Sequence, residues 1–390
     1  MKTNSYLRFL SILLIAWLVS ACSIFESDGD EEDVGPAELV DFTEEVNIKT
    51  LWRRGIVSGQ GGFNRVQMLK SQNVIYVAGH EGDVAAVAAD SGKVIWSENY
   101  ELPVAGGIGA GVDKIYVGTT DGDVVALSAT DGELLWKVSV QGEVLSAPQG
   151  NGKVVAVQSY DGKLHGLNPE DGSSLWTFDS NVPVLTLRGT SSPIFYGDTV
   201  LAGFANGKVA AFDGESGTLR WETRIAVSQG RSEIERIVDI DGTLKLVANI
   251  LYVVTYQGKL AAVDVNTGRR LWQQDASSYV GVDQGFGNIY VSDQQGSLMA
   301  YYKSGQGLRW EQAQLGRRGL NRPSVLRSWV AVADIEGYVH FISQVDGHFV
   351  GRIRLDSDGV RADMQSDGNV LYVLTNNGEL HALSVTTKNK

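Results

Sequence analysis

The chain has 390 residues, 43% of them apolar, and a formal net charge of −13; that balance excludes nucleic acid as a partner, because such binding needs a basic surface to displace counterions. The apolar share suffices for a sizeable core, and the single cysteine excludes an intrachain disulfide. Ten acids and no base fall between residues 26 and 45, so much of the charge sits in one short stretch.

Residues 1–21 start with Lys2 and Arg8 and run into an apolar segment at 9–19, FLSILLIAWLV. It is too short to span a bilayer, which takes about 20 helical residues, and it suits the apolar part of a secretory signal peptide. The segment ends in Leu18-Val19-Ser20-Ala21-Cys22, which resembles a bacterial lipobox. That resemblance implies that Cys22 is acylated and becomes the mature N-terminus. Ser23 in place of aspartate points, by the sorting pattern of such lipoproteins, to the outer membrane. Residues 22–45 then read as an acidic, flexible tether.

From residue 46 to 390 the sequence is periodic. A polar residue and a glycine precede a short β-type run eight times, at Gly82, Gly122, Gly162, Gly207, Gly258, Gly296, Gly337 and Gly378, with steps near forty residues. Each of the first six glycines is followed fourteen residues later by a tryptophan: Trp96, Trp136, Trp176, Trp221, Trp272 and Trp310. The seventh slot holds Gly351. Short strands at this period, with no helical stretch, predict an all-β chain folded as an eight-bladed β-propeller of four-stranded antiparallel blades. One such sheet cannot bury both its faces, so the blades must stack in a ring, with the tryptophans as wedges between neighbours. The strand at 47–52, NIKTLW, carries a tryptophan but has no blade of its own. It is expected to complete the last blade and close the ring by pairing the N- and C-terminal segments. The propeller is expected to be monomeric.

Chemistry is scarce along the repeats. His165, His340 and His381 all sit three residues after their repeat glycine, in three different blades. They cannot converge on one metal, and a packing position explains them. The stretch Gly106–Gly111 is followed by no helix pattern, so it lacks the amides of a phosphate cradle; crowding near the propeller axis accounts for it. The closing pattern D-x-x-[ST]-G-x-x-x-W, seen at 213–221 and 264–272, resembles the quinoprotein (PQQ) alcohol dehydrogenase propellers. That resemblance implies a periplasmic dehydrogenase with its cofactor on the axis as the alternative reading. The vicinal cysteine pair such enzymes commonly use is missing, and no calcium-ligand set can be assigned. No cofactor, metal or catalytic residue is therefore expected.

The repeat is broken in two places, at 179–193 (DSNVPVLTLRGTSSP) and 227–242 (VSQGRSEIERIVDIDG), and insertions mark the face a ring adapts for binding. In the first, strand alternation places Leu185 and Leu187 on one side and Arg188 on the other. In the second, Ile234, Ile237 and Val238 suggest a helical turn or a loop folded back on its blade. Taken alone, Leu185 and Leu187 read equally well as core, and Asp239 and Asp241 as turn caps. The motifs VLTLRGTSSP and SEIERIVDID, with the lipobox, tether and blades, resemble the BamB family, the propeller lipoproteins of the bacterial β-barrel assembly (BAM) machinery. The resemblance implies a non-catalytic scaffold, lipid-anchored to the outer membrane and facing the periplasm. It implies that Leu185, Leu187, Arg188, Asp239 and Asp241 bind the POTRA region of BamA, and that the chain assists folding and insertion of outer-membrane proteins, whose unfolded precursors are further candidate partners.

Overall fold

The structure is a computed structural model, and it describes residues 35–61 and 65–388. The leader and Cys22 lie outside the described residues. The described residues from 38 to 388 form one compact unit, and it is built of eight four-stranded antiparallel sheets. Seven sheets are contiguous in sequence, spanning 69–99, 104–139, 149–179, 194–224, 245–276, 282–312 and 324–354; these are blades 1 to 7. The first strands of most neighbouring blades (1–2, 2–3, 3–4, 5–6, 6–7 and 7–8) touch one another and line the shaft. The fourth strands form the rim, exposed along most of their length except at the tryptophan.

The middle strands show why the ring is obligatory. All of Val124, Val125, Ala126 and Leu127 are buried. Val125 and Leu127 pack toward blade 1, while Val124 and Ala126 pack toward blade 3. Side chains of a strand alternate between its faces, so each blade needs a neighbour on both sides.

The tryptophans behave as wedges with a polar tip. Trp96 donates its indole N–H to the Ala129 carbonyl at 3.1 Å, and Trp136 to that of Pro169 at 2.9 Å. In each case the acceptor lies in the turn of the next blade, where a glycine (Gly132, Gly172) leaves room for the ring. A Cβ there would meet the indole at 2.7 Å, and both glycines have positive φ, which glycine adopts without strain.

The eighth blade holds residues 365–387 and takes its fourth strand from the other end of the chain. Val46–Gly55 pairs antiparallel with Glu379–Thr387, from Val46 opposite Thr387 to Gly55 opposite Glu379. The pairing slips at Leu51, one residue before Trp52. The other outer strands slip at the same place, at Ile95 before Trp96 and at Leu135 before Trp136. Trp52 then donates to the Ala89 carbonyl of blade 1 at 3.0 Å, so it is the eighth blade's wedge. Gly351 occupies the empty slot for a related reason. Blade 8 gets its outer strand from elsewhere and has no turn to receive an indole. Val46 and Ile48 of the closing strand fill that space instead, and a Cβ on Gly351 would collide with Val46.

The end of the stretch expected to be a flexible tether is packed on the ring. Residues 40–45 are not free but lie against blade 7: Val40 and Phe42 join the apolar cluster around Trp310 and Phe349, and Glu45 donates its amide to the Val350 carbonyl at 2.8 Å. These two apolar grips, set among acids, were hidden by the surrounding charge run.

Candidate functional site

The polar-glycine hairpins and the connections between blades share one face, since the residue entering each connection donates to a hairpin glycine: Val140 to Gly122, Ser180 to Gly162 and Ile225 to Gly207. Both insertions lie on this face, following blades 3 and 4. The first is a loop, not the alternating strand its sequence suggests. Its pattern of T, L and R has no partner strand to pair with, so it is held by side chains. Val184 is 94% exposed and Leu185 40%, while Leu187 is half-buried. Thr186 meets Tyr160 through their hydroxyls at 3.2 Å, and Arg188 pairs with Glu143 of the preceding connection at 2.8 Å.

The second insertion contains the expected short turn, a 3-10 helix at Ile234–Arg236. Its Glu235 carboxylate accepts the amides of Arg231 and Ser232, at 2.6 and 3.3 Å. Ile237, Val238 and Ile240 are buried beneath it, and Ile234 is 64% exposed. One hydrogen bond joins the two insertions: Leu187 donates its backbone N–H to the Asp239 carboxylate at 2.6 Å. Beside it, Gly189 packs against the Asp241 side chain.

Asp239, expected to contact a partner or cap its turn, has no accessible surface in this chain; it braces the loop that carries Leu187 and Arg188. Burial pushes its carboxyl up to about 7, against the pull of the Leu187 amide. Asp241 is pushed well above the usual carboxylate range by burial and by the charge of Asp239, with Arg65 opposing. Asp241, Leu187 and Arg188 border a cavity of about 460 Å3 at the mouth of the shaft, together with Arg65, Tyr256 and Tyr279. The structure therefore brings four of the five expected residues to one rim: Leu185 outward, Leu187, Arg188 and Asp241 around the cavity. Arg65 and the two tyrosines carried no signal in the sequence: Tyr256 sits in an ordinary polar-glycine hairpin, and Arg65 and Tyr279 lie in connections that do not lengthen the repeat.

Below the cavity the shaft is filled by the chain's own ion pairs. Arg322 donates to the Val282 carbonyl at 2.9 Å and lies 3.4 Å from Asp363 and 3.6 Å from Asp283. Asp363 also accepts from Thr243 at 2.7 Å and donates its amide to Gln67. Arg322, Asp283 and Asp363 are buried and turned on one another, so these axial residues do not fit a quinone and its cation. No group of three or more His, Cys, Asp or Glu among the described residues is arranged to hold a metal. Of the histidines in the repeat slot, His340 is wholly buried, bonded to Asp334 at 3.0 Å and to Arg352 at 3.1 Å.

Known proteins share both the sequence and the fold. The family model described as "Outer membrane protein assembly factor BamB" matches residues 80–312. A protein of that name from Pseudomonas aeruginosa is 54% identical over 379 residues, covering 97% of this chain and 99% of the relative. Its counterpart in Escherichia coli K12 is 32% identical, covering 95% and 97%. The crystal structure of BamB from Moraxella catarrhalis superposes with a TM-score of 0.79 at 26% identity, over 87% of this chain and all of that one. Quinoprotein enzymes such as a europium-containing methanol dehydrogenase share the fold alone, at a TM-score of 0.70 and 13% identity.

Proposed function

The chain belongs to the BamB family of outer membrane protein assembly factors, and from that premise we propose that it is a non-catalytic scaffold of the BAM complex that binds the periplasmic POTRA region of BamA. In this reading Cys22 carries the lipid that holds the protein on the outer membrane, and the propeller faces the periplasm. Docking is assigned to Leu185, Leu187, Arg188 and Asp241, with Asp239 as the brace behind them.

The observation that carries this reading is the cross-braced rim. Two insertions from different blades are tied together through Leu187 and Asp239, and they present apolar side chains beside a cationic Arg188. Apolar contact supplies affinity and peripheral charge fixes register in protein interfaces. The alternative, a quinone-dependent dehydrogenase, is supported by fold likeness only and opposed by the filled shaft.

The test is co-purification of BamA with the double variant Leu187→Ala, Arg188→Ala. Arg188 is half-exposed and its pair with Glu143 is solvated, so the fold should keep its thermal transition. Interface anchors commonly cost 2 kcal/mol or more on truncation, about 30-fold in affinity. Loss of BamA with an unchanged transition supports the docking site. Unfolding, or retained BamA, removes these residues from it.

A further inference from the structure

The segment just before the closing strand is more heavily fixed than docking requires. Phe42 packs on Phe349 with ring centroids 5.5 Å apart. The Arg352 guanidinium lies 4.9 Å from the Phe42 centroid and 5.3 Å from that of Phe349, and it donates to the Val40 carbonyl at 3.1 Å. Arg352 is itself aimed from below, since its Nε–H donates to the buried His340 at 3.1 Å. His340 must accept that bond on Nδ1, and its Nε2 faces Asp334; burial pulls its pKa down, which keeps the ring neutral. At the far end of the segment the Lys388 amide donates to the Glu45 carbonyl at 2.8 Å, and Lys388 pairs with Glu44 at 2.7 Å.

One contact in this set is exposed and titratable. His348, in the turn before the outer strand of blade 7, bridges two carboxylates: Asp346 in its own turn at 2.7 Å and Glu45 of the segment at 3.0 Å. Glu45, Phe42 and Val40 border a crevice of about 270 Å3 against His348, Phe349 and Gln312, so the segment bridges the seam between blades 6 and 7. Going round the ring in chain order, blade 7 is four places from blade 3, whose following connection carries the first insertion. The segment therefore holds to the side of the ring away from the docking rim.

We propose that residues 38–45 are a strap that fixes the point on the rim where the acidic N-terminal segment begins, and that protonated His348 is its latch. The imidazolium can donate to both carboxylates at once, whereas a neutral ring has a donor for only one. Of the other charged groups nearby, Glu44 is engaged by Lys388, and Asp41 lies on the Arg352 side. Burial works against the charged ring, but Asp346 and Glu45 outweigh it and hold the His348 pKa above the ordinary value of 6.5. A raised pKa in the closed state means that the latch is complete below about 6.5 and loosens as the pH rises through the shifted value.

Hydrogen exchange of the intact protein tests this, with amide rates over residues 38–45 corrected for intrinsic pH dependence and compared at about pH 6 and pH 8.5. In the wild type, protection of the Glu45 amide should be about threefold higher at the lower pH, the size expected of an exposed ion pair. H348Q should show equal protection at both values, and E45Q should behave likewise. F42A should lose protection across the strap at both, while the propeller keeps its thermal transition. Unstructured exchange rates over 38–45 in the wild type would overturn the strap. A pH dependence that survives in H348Q would overturn the latch.

Discussion

Replacing Asp239 by asparagine isolates the one buried charge that joins the two insertions. The carboxyl rises from 3.8 to about 7 in the folded chain because burial penalises its charged form. The unfolded chain gives up this proton near pH 4, whereas the folded chain keeps it until near pH 7. Stability is therefore lost progressively between those values and falls no further above them. A shift of about three units at roughly 1.4 kcal/mol each sets a ceiling of about 4 kcal/mol, of which some 2–3 kcal/mol falls between pH 5 and 8. Asparagine keeps an oxygen for the Leu187 amide and cannot ionise, and its removal of charge also relieves Asp241. It does bury an amide nitrogen where Asp239 Oδ1 already has no partner, a cost of about 1–3 kcal/mol at every pH. D239N should thus be the weaker protein at pH 5, and should gain about 2–3 kcal/mol on the wild type by pH 8. Urea midpoints of both proteins at each pH, subtracted, cancel the other carboxylates apart from Asp241. Parallel profiles would refute the argument, since they would mean that Asp239 titrates as a solvated carboxylate and braces nothing.

Three further outcomes follow from the ring. Trp136→Ala removes a buried indole packed 5.8 Å from Tyr116 and hydrogen-bonded to Pro169, and should cost about 3–5 kcal/mol. Trp52→Ala should cost the same in denaturant unfolding if the closing strand is a full member of blade 8; a loss under 1 kcal/mol would show a frayed seam. Gly109→Ala should prevent folding to a soluble ring, because its Cβ would overlap the Pro148 carbonyl of the next blade's inner edge, whereas Gly55→Ala, with open space around it, should be neutral by the same measurement.

The ring was legible because its physics repeats. Eight glycine turns and six tryptophans each report the same local geometry, and Trp52 could be placed by its lack of a blade. Gly106–Gly111 was legible for the same reason: Gly106 faces the Ser146 backbone and Gly107 faces Gln67, the crowding expected of an inner strand. The site was less so. Alternation in VLTLR suggested a strand, but a strand needs a hydrogen-bonded neighbour, and residues 185–188 are held by the side chains of Asp239, Tyr160 and Glu143 instead. Asp239 looked like a surface acid because a lone sequence gives no sign that a loop fifty residues earlier will cover it. The strap was concealed in the same manner: its grips, Val40 and Phe42, are spaced like any tether residues until Arg352 and Phe349 are placed beside them.

The placement of the proposed docking rim follows from what the ring leaves unused. Blade faces are consumed in packing on their neighbours, and the shaft is closed by Arg322, Asp283 and Asp363. Side chains free to evolve a contact without disturbing the fold are then those of the outer strands and the connections, and the two longest connections, 180–193 and 225–244, are the ones tied to each other. Tying them through Asp239 costs stability at neutral pH, since a hydrophobic residue in its place would carry no desolvation penalty. What the carboxylate provides instead is position: it accepts the Leu187 amide in a loop with no ladder of its own, and so holds Leu187 and Arg188 in one arrangement before any partner arrives. Preorganisation of this kind lowers the ordering cost of binding. A loop left free would have to meet that cost at each encounter.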